Sequence, residues 1–271
     1  MFADASLTVL SAVTNAVFLG AGVYIYLSLA RQVSARVPEV SEVPLKTFGL
    51  PEILLALVLA GWFSINIAAA ANRTMAGMRT RELVLNAAFS IGLLLVVVTF
   101  LRFRRLEIER LAGFSKIGFL RAFSTGTVLM LAAYPLIFLA DLLTQKLAGG
   151  TKSDRQEIVE LFNASTSLDQ RVAIIVLAVA IAPLVEEFLF RFFFYGVLKR
   201  YFGRGTGLVA NALMFAAVHT HLPSFLPLFI LGSCLTLAYE WSGSILVSMT
   251  MHALFNGLTL IALAFPDFIQ Q

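Results

Sequence analysis

Residues 172–198 read VAIIVLAVAIAPLVEEFLFRFFFYGVL, and this stretch decides the fold class. It is an apolar run of 27 residues, and a helix needs about 20 residues to cross the hydrocarbon core of a bilayer. Three ionisable residues interrupt the run, namely Glu186, Glu187 and Arg191. Because an ionisable group inside a spanning helix costs about 3 kcal/mol, such residues are candidates for a functional site.

The rest of the chain has the same apolar character. Hydrophobic residues make up 59% of its 271 residues, charged residues make up 13%, and the mean hydropathy is +0.87. Soluble domains carry about 25% charged residues, so this composition excludes a water-soluble enzyme and a disordered chain. We expect an all-α polytopic membrane bundle of about eight transmembrane helices. The predicted spans are 7–30, 51–71, 83–101, 122–140, 172–198, 206–219, 224–239 and 244–265.

Basic residues are distributed unevenly between the predicted loops. The loops after the first, third and fifth spans hold 12 Lys and Arg, and those after the second and fourth hold 7. The positive-inside rule therefore places the first group in the cytoplasm and both termini outside. We expect a multi-pass protein of a bacterial or archaeal plasma membrane. Its predicted regions are an N-terminal three-helix part, 1–121, without recognised motifs and a five-helix catalytic core, 122–271.

Three smaller features limit the classes of partner and site. The net charge of +4 comes from basic residues scattered through short loops, so we expect no nucleic-acid partner. Cys234 is the single cysteine, which excludes an internal disulfide and favours a small buried side chain. In the longest loop, Ser153 and Gln156 resemble a capping box and predict a short amphipathic helix over 158–162.

The charged residues of the fifth span are predicted to have separate roles. Glu187 and Arg191 are four residues apart, so on an α-helix they share one face and can pair. Glu186 points about 100° away, which leaves it free to face a cavity. The alternative is a structural ion-pair cluster between helices, although such a cluster needs no second glutamate.

Two later spans carry further polar residues at helical spacing. These motifs are Phe215-Ala-Ala-Val-His219 and His252-Ala-Leu-Phe-Asn256. Together with Glu186, these polar groups lie roughly 14–21 Å from the cytoplasmic ends of their spans, so all four can meet at one level. The alternatives are an interface position for His219 and interhelical hydrogen bonds for His252 and Asn256.

The resulting set of groups suits the activation of water. It offers a carboxylate, two imidazoles and an amide, without an obvious Ser or Cys nucleophile. We expect Glu186 to be the general base and His219 to hold the water or protonate the leaving amine. His252 and Asn256 would bind the oxyanion, so peptide hydrolysis is the natural reaction class.

A zinc site is an alternative for the same groups. Glu186, His219 and His252 are residue types that ligate zinc. The chain lacks the His-Glu-x-x-His pattern, however. We therefore expect no metal and no cofactor.

Together the three motifs resemble those of the CAAX prenyl protease type 2 and bacteriocin-processing (CPBP, Abi) family of intramembrane glutamic endopeptidases. The resemblance covers about residues 172–260. It implies an eight-helix fold and a metal-independent mechanism in which Glu186 and His219 activate water. It further implies an oxyanion site at His252 and Asn256, with Glu187 and Arg191 in support.

The resemblance also implies a substrate that is a membrane-associated peptide or lipidated protein, bound in contact with membrane lipid. Two other functions are open from the sequence. One is a membrane scaffold or immunity protein of the same fold without turnover. The other is a small proton-coupled transporter whose buried Glu and His residues relay protons.

Overall fold

A computed structural model describes residues 2–36, 48–70, 80–147, 162, 165 and 167–264. Every regular element in this part of the chain is helical, which confirms the all-α prediction. The first five helices are α1 (Phe2–Ala35), α2 (Leu50–Ala70), α3 (Thr80–Phe103), α4 (Ile108–Leu111) and α5 (Phe119–Leu147). A helical stretch, Leu168–Val218, then contains α6 (168–202) and α7 (204–218), and is followed by α8 (Phe225–Ser242) and α9 (Ile245–Ala264).

A single residue separates α6 from α7. Gly203 has φ 80° and ψ 170°, which lie outside the helical region. Glycine adopts positive φ without the steric cost that a Cβ would impose. Beyond this residue α7 packs back on α6, where the Phe190 and Phe215 ring centroids are 5.4 Å apart.

The prediction of a polytopic membrane bundle is confirmed, and the count of eight spans is approximate. Six helices of the described part are long and apolar enough to cross a membrane. One of them is Leu168–Val218, which contains two of the predicted spans. The apolar part of α3, Ala87–Phe103, is shorter than the other six.

Two predictions from the sequence are not tested by the described residues. The capping-box residues Ser153 and Gln156, with most of the predicted amphipathic helix, lie outside the described residues. The division into regions 1–121 and 122–271 stays a prediction.

Lys199 differs from its predicted place in a cytoplasmic loop. It lies within α6 with 1% exposure, and its Nζ donates to both carboxylate oxygens of Glu240 at 2.7 and 2.8 Å. The hydroxyl of Tyr195 donates to the same carboxylate at 3.1 Å. A buried ammonium needs such a partner, so this ion pair joins α6 to α8.

The aromatic half of α6 forms the centre of the bundle. Residues 187–195 are all buried, including the charged residues Glu187 and Arg191 and five phenylalanines. Phe48 packs edge-on against Phe192 and Phe193, with centroid distances of 5.8 and 5.9 Å. By contrast, large apolar side chains of α2 and α3 such as Leu57 and Val96 are exposed. An exposed apolar face of this kind suits contact with lipid, whereas the aromatic half of α6 lies in the interior of the bundle.

We expect Gly126→Ala to destabilise the bundle, because α5 and α9 approach closely at Gly126. A Cβ there would lie 2.7 Å from Cβ of Thr250 and 2.8 Å from the Val247 carbonyl oxygen. Overpacking of this kind costs about 1–3 kcal/mol. Gly20→Ala is the matched control, since a Cβ at Gly20 meets nothing within 4 Å. Thermal unfolding in detergent should give a lower Tm than the wild type for Gly126→Ala but not for Gly20→Ala. Equal Tm values for the two variants would contradict the close packing.

Candidate active site

The helix that carries the charged residues is not a uniform α-helix. Residues Leu177–Ile181 and Glu187–Phe194 form wide π-helical turns, with Ala182–Glu186 as an α-helical turn between them. Wide turns of this type are rare in proteins, and those that occur are often found at functional sites. Pro183 follows the first wide turn, and a proline ring would clash with the carbonyl four residues earlier in a regular α-helix. The prediction of a regular helix is therefore wrong at this point.

Glu187 and Arg191 form a buried ion pair, as their spacing predicts. Arg191 Nε lies 3.2 Å from Glu187 Oε2, and both side chains are fully buried. The Arg191 guanidinium carbon is 4.1 Å from the centroid of the Phe215 ring. A cation over an aromatic face is stabilised by the ring quadrupole. The arginine is thus held between a carboxylate on α6 and a ring on α7.

Glu187 also holds His252 from α9. Its Oε1 lies 2.8 Å from His252 Nδ1. An ionised carboxylate can only accept, so Nδ1 carries the proton of this hydrogen bond. The other ring nitrogen, Nε2, then faces Glu186 Oε2 at 3.8 Å. Glu187 therefore fixes the orientation of an imidazole that was predicted to act with Glu186.

His219 is oriented in the same way by a backbone carbonyl. Its Nδ1 lies 2.7 Å from the carbonyl oxygen of Phe215. Because a carbonyl oxygen only accepts, Nδ1 is again the protonated nitrogen. His219 Nε2 lies 3.8 Å from Glu186 Oε2. Both imidazoles thus present Nε2 to the same carboxylate oxygen.

A cavity of about 170 Å³ contains the four predicted polar groups. Glu186 and His219 are 28% and 25% exposed, and His252 is 3% exposed. Within the described part of the chain, Glu186 Oε2 has no hydrogen-bond partner. The other lining residues are mostly apolar and are Ala178, Ala182, Leu228, Leu231, Phe255, Thr259 and Leu260. The structure therefore brings Glu186, His219, His252 and Asn256 to one small cavity.

Asn256 has a contact that the sequence does not reveal. Its Nδ2 donates to the carbonyl oxygen of Ala178 at 2.7 Å, within the first wide turn of α6. One amide hydrogen therefore fixes α9 to α6, and one remains for a ligand. This contact gives Asn256 a structural part in addition to its predicted oxyanion role.

Phe215 makes contacts in the site that its place in the second motif does not predict. Its ring centroid lies 4.8 Å from that of His219 and 5.7 Å from that of His252, edge-on in both cases. The ring also lies against the guanidinium of Arg191, so it contacts three of the motif side chains. The available sequence signal is its position four residues before His219, one turn along the same helix face.

His221, two residues after His219, lies outside this cavity. Its Nδ1 lies 2.7 Å from Ser224 Oγ, beyond the end of α7. Among the residues with described positions, no group of three or more His, Cys, Asp or Glu is arranged to hold a metal ion. The absence of a cofactor stays a prediction.

The fold and the site together define a class of protein. It is a polytopic helical membrane protein whose interior cavity holds a carboxylate between two imidazoles. The sequence model of a family described as Type II CAAX prenyl endopeptidase Rce1-like matches residues 168–258, which include all seven motif residues. The matched segment covers about a third of the chain, and it supports the resemblance to CAAX proteases that the motifs predict. No curated protein sequence and no solved structure matches the chain.

Proposed function

We propose that this protein is an intramembrane endopeptidase of the glutamate type. It would hydrolyse a peptide bond near the C-terminus of, or within, a membrane-associated protein or peptide. The observation that supports this most is the position of Glu186 Oε2, 3.8 Å from Nε2 of both His219 and His252. That distance is too long for a direct hydrogen bond. A water between these atoms could donate one hydrogen to the carboxylate and one to an imidazole.

The proposed reaction follows from these three acceptors. Glu186 takes a proton from the water, whose oxygen forms a bond to the carbonyl carbon of the substrate. The carbonyl π electrons move to its oxygen, where the free amide hydrogen of Asn256 can donate. His252 also donates from Nε2 when it is protonated, with the Glu187 carboxylate as its counter-ion. Glu186 then returns this proton to the nitrogen, directly or through His219, as the C–N bond breaks and the oxyanion re-forms the C=O bond, leaving an amine and a carboxylic acid.

The apolar lining of the cavity supports the proposal that the substrate reaches the site from the membrane. Apart from its polar groups and Thr259, its walls are alanine, leucine and phenylalanine side chains. We propose a peptide or a lipidated protein as the substrate class, and the family description makes a prenylated CAAX peptide the first compound to test. We also propose a bacterial or archaeal plasma membrane, which the resemblance to bacteriocin-processing proteins supports.

The two neighbouring histidines provide a matched test. His219→Ala should lower cleavage by about 100-fold or more, the usual size of a general acid–base contribution. His221→Ala should leave cleavage unchanged, because His221 bonds Ser224 outside the cavity. Cleavage of prenylated, unprenylated and membrane-spanning peptides in proteoliposomes would be followed by mass spectrometry. Equal rates for the two variants would contradict the proposed role, and proton flux without cleavage would favour a transporter.

Chelators should leave cleavage intact under the same assay. The proposed mechanism uses only side chains, so EDTA or phenanthroline removes no reacting group. Zinc lowers the pKa of a bound water and would be essential in the alternative mechanism. Loss of cleavage on chelation, with recovery on added zinc, would show that the metal alternative is correct.

A further inference from the structure

A second cavity lies on another side of α8 and shares no lining residue with the active-site cavity. It is a groove of about 420 Å³ between α1, α5, α7 and α8. Its walls are mostly apolar and include Tyr26, Leu139, Leu143, Leu208, Ile230 and Leu237. The Tyr26 hydroxyl is already bonded to the Leu129 carbonyl, at 2.8 Å. We call this cavity the α8 groove.

The α8 groove has the length of one bilayer leaflet. Along α8 it extends from Leu226 to Leu237, which is roughly 16 Å at 1.5 Å per residue. Half of the hydrocarbon core is about 15 Å thick. Leu139 and Leu143 on its rim are 40% and 47% exposed, so the groove opens toward the lipid side of the bundle. These dimensions suit a single acyl chain.

One end of the α8 groove meets a cluster of basic and aromatic residues. Arg36 Nη1 donates to the Trp241 carbonyl oxygen at 2.9 Å, one turn beyond Leu237. The Arg204 guanidinium donates to the carbonyl oxygens of Val33 and Arg36, one turn before Leu208. We call Arg36 and Arg204 the arginine pair. This pair joins the ends of α1, α7 and α8 at the edge of the groove.

The arginine pair keeps its positive charge at this edge. Both arginines are half-buried, and their hydrogen bonds to described residues go to neutral carbonyl groups. Among the described residues, no carboxylate forms an ion pair with either guanidinium. Each guanidinium has five N–H groups, so several donors have no partner among the described residues and suit a further ligand. Arginine matches phosphate oxygens in bidentate geometry, and tryptophan is typical of the membrane–water interface.

We propose that the α8 groove and the arginine pair bind one anionic phospholipid. An acyl chain lies along the groove, and the phosphate contacts Arg36 and Arg204. Basic pockets between transmembrane helices bind anionic headgroups on the cytoplasmic side of membranes. The same end of the bundle also carries the excess of basic loop residues in the sequence. This site does not depend on the proposed protease activity.

Lipid retention by the purified full chain tests the proposal. Native mass spectrometry would compare phosphatidylglycerol with phosphatidylcholine of identical acyl chains. We expect the anionic lipid to bind about 10- to 30-fold more tightly, given two arginines at the headgroup. Arg36→Gln should remove this preference, and it keeps a donor for the Trp241 carbonyl. Arg36→Lys should retain it, as should Arg121→Gln, which removes an exposed charge outside the groove.

A further variant, and competing ligands that have no acyl chain, test whether the acyl chain binds in the groove. Ile230→Trp narrows the groove and should weaken retention of both lipids, with α-helical content unchanged by circular dichroism. Inorganic phosphate and glycerol phosphate should compete poorly with phosphatidylglycerol. Equal retention of the two lipids by the wild type would overturn the proposal. So would full competition by free phosphate, or unchanged retention in Ile230→Trp.

Discussion

Glu186→Gln is expected to abolish peptide cleavage while the protein remains folded. Glutamine has nearly the same shape but cannot accept a proton from water, so the loss should reach about 100- to 10,000-fold. Glu186 is partly exposed to the cavity, and its Oε2 has no hydrogen-bond partner in the described part of the chain. Removing its charge therefore breaks no buried ion pair, and the Tm in detergent should stay close to that of the wild type.

The control is Glu107→Gln, which removes an exposed carboxylate distant in sequence from the site. Peptide cleavage in proteoliposomes gives the rate, and mass spectrometry of membrane-peptide termini gives the effect in cells. Full cleavage by Glu186→Gln would rule out the proposed base. A cellular phenotype that survives in Glu186→Gln, with no altered termini, would favour a scaffold or immunity protein.

The sequence predicts the pairing within α6 because this part of the site is local. Glu187 and Arg191 are one turn apart, and an unpaired charge in an apolar run is costly. That cost favours a partner for Arg191 and leaves Glu186 for the cavity, as the structure shows. Local spacing alone was therefore sufficient to predict which of two adjacent glutamates pairs with Arg191 and which one faces the cavity.

The contacts between α6 and α9 could not be predicted in the same way. His252 meets Glu187 across 65 residues of sequence, and Asn256 meets Ala178 across 78. Both contacts depend on how the helices pack and on the wide turns of α6, which periodicity does not encode. A prediction based on a regular helix therefore identifies residues that line the cavity, but it does not identify the contacts that orient them.

The ends of helices were also hard to predict, as α5 shows. The predicted span ends at residue 140, where the apolar run stops, whereas α5 continues to Leu147. In this extension Gln145 donates to Asp141 at 2.7 Å, one turn apart. Such polar pairs stabilise a helix beyond its apolar part. Hydropathy thus locates the spanning part and underestimates the helix.

Glu187→Ala is expected to produce the largest loss of stability. Glu187 is the one carboxylate within ion-pair distance of Arg191 in the described part of the chain, and both groups are fully buried. Removing one partner of a buried pair costs about 3–5 kcal/mol, because the other charge remains without compensation. His252 Nδ1 loses its acceptor as well. Thermal unfolding in detergent should show a clear fall in Tm, and a Tm equal to that of the wild type would contradict this role.

Two companion variants separate the charge from the hydrogen bond. The double variant Glu187→Leu with Arg191→Leu removes both charges, and replacement of a buried pair by apolar residues is often neutral for stability. We therefore expect it to regain most of the lost Tm while cleavage stays low, because His252 is no longer oriented toward Glu186. Glu187→Gln keeps an acceptor for His252 but leaves the charge of Arg191 without a counter-ion, so its Tm should be lower than that of the wild type. If both companions melted like Glu187→Ala, packing at this position rather than charge would explain the loss.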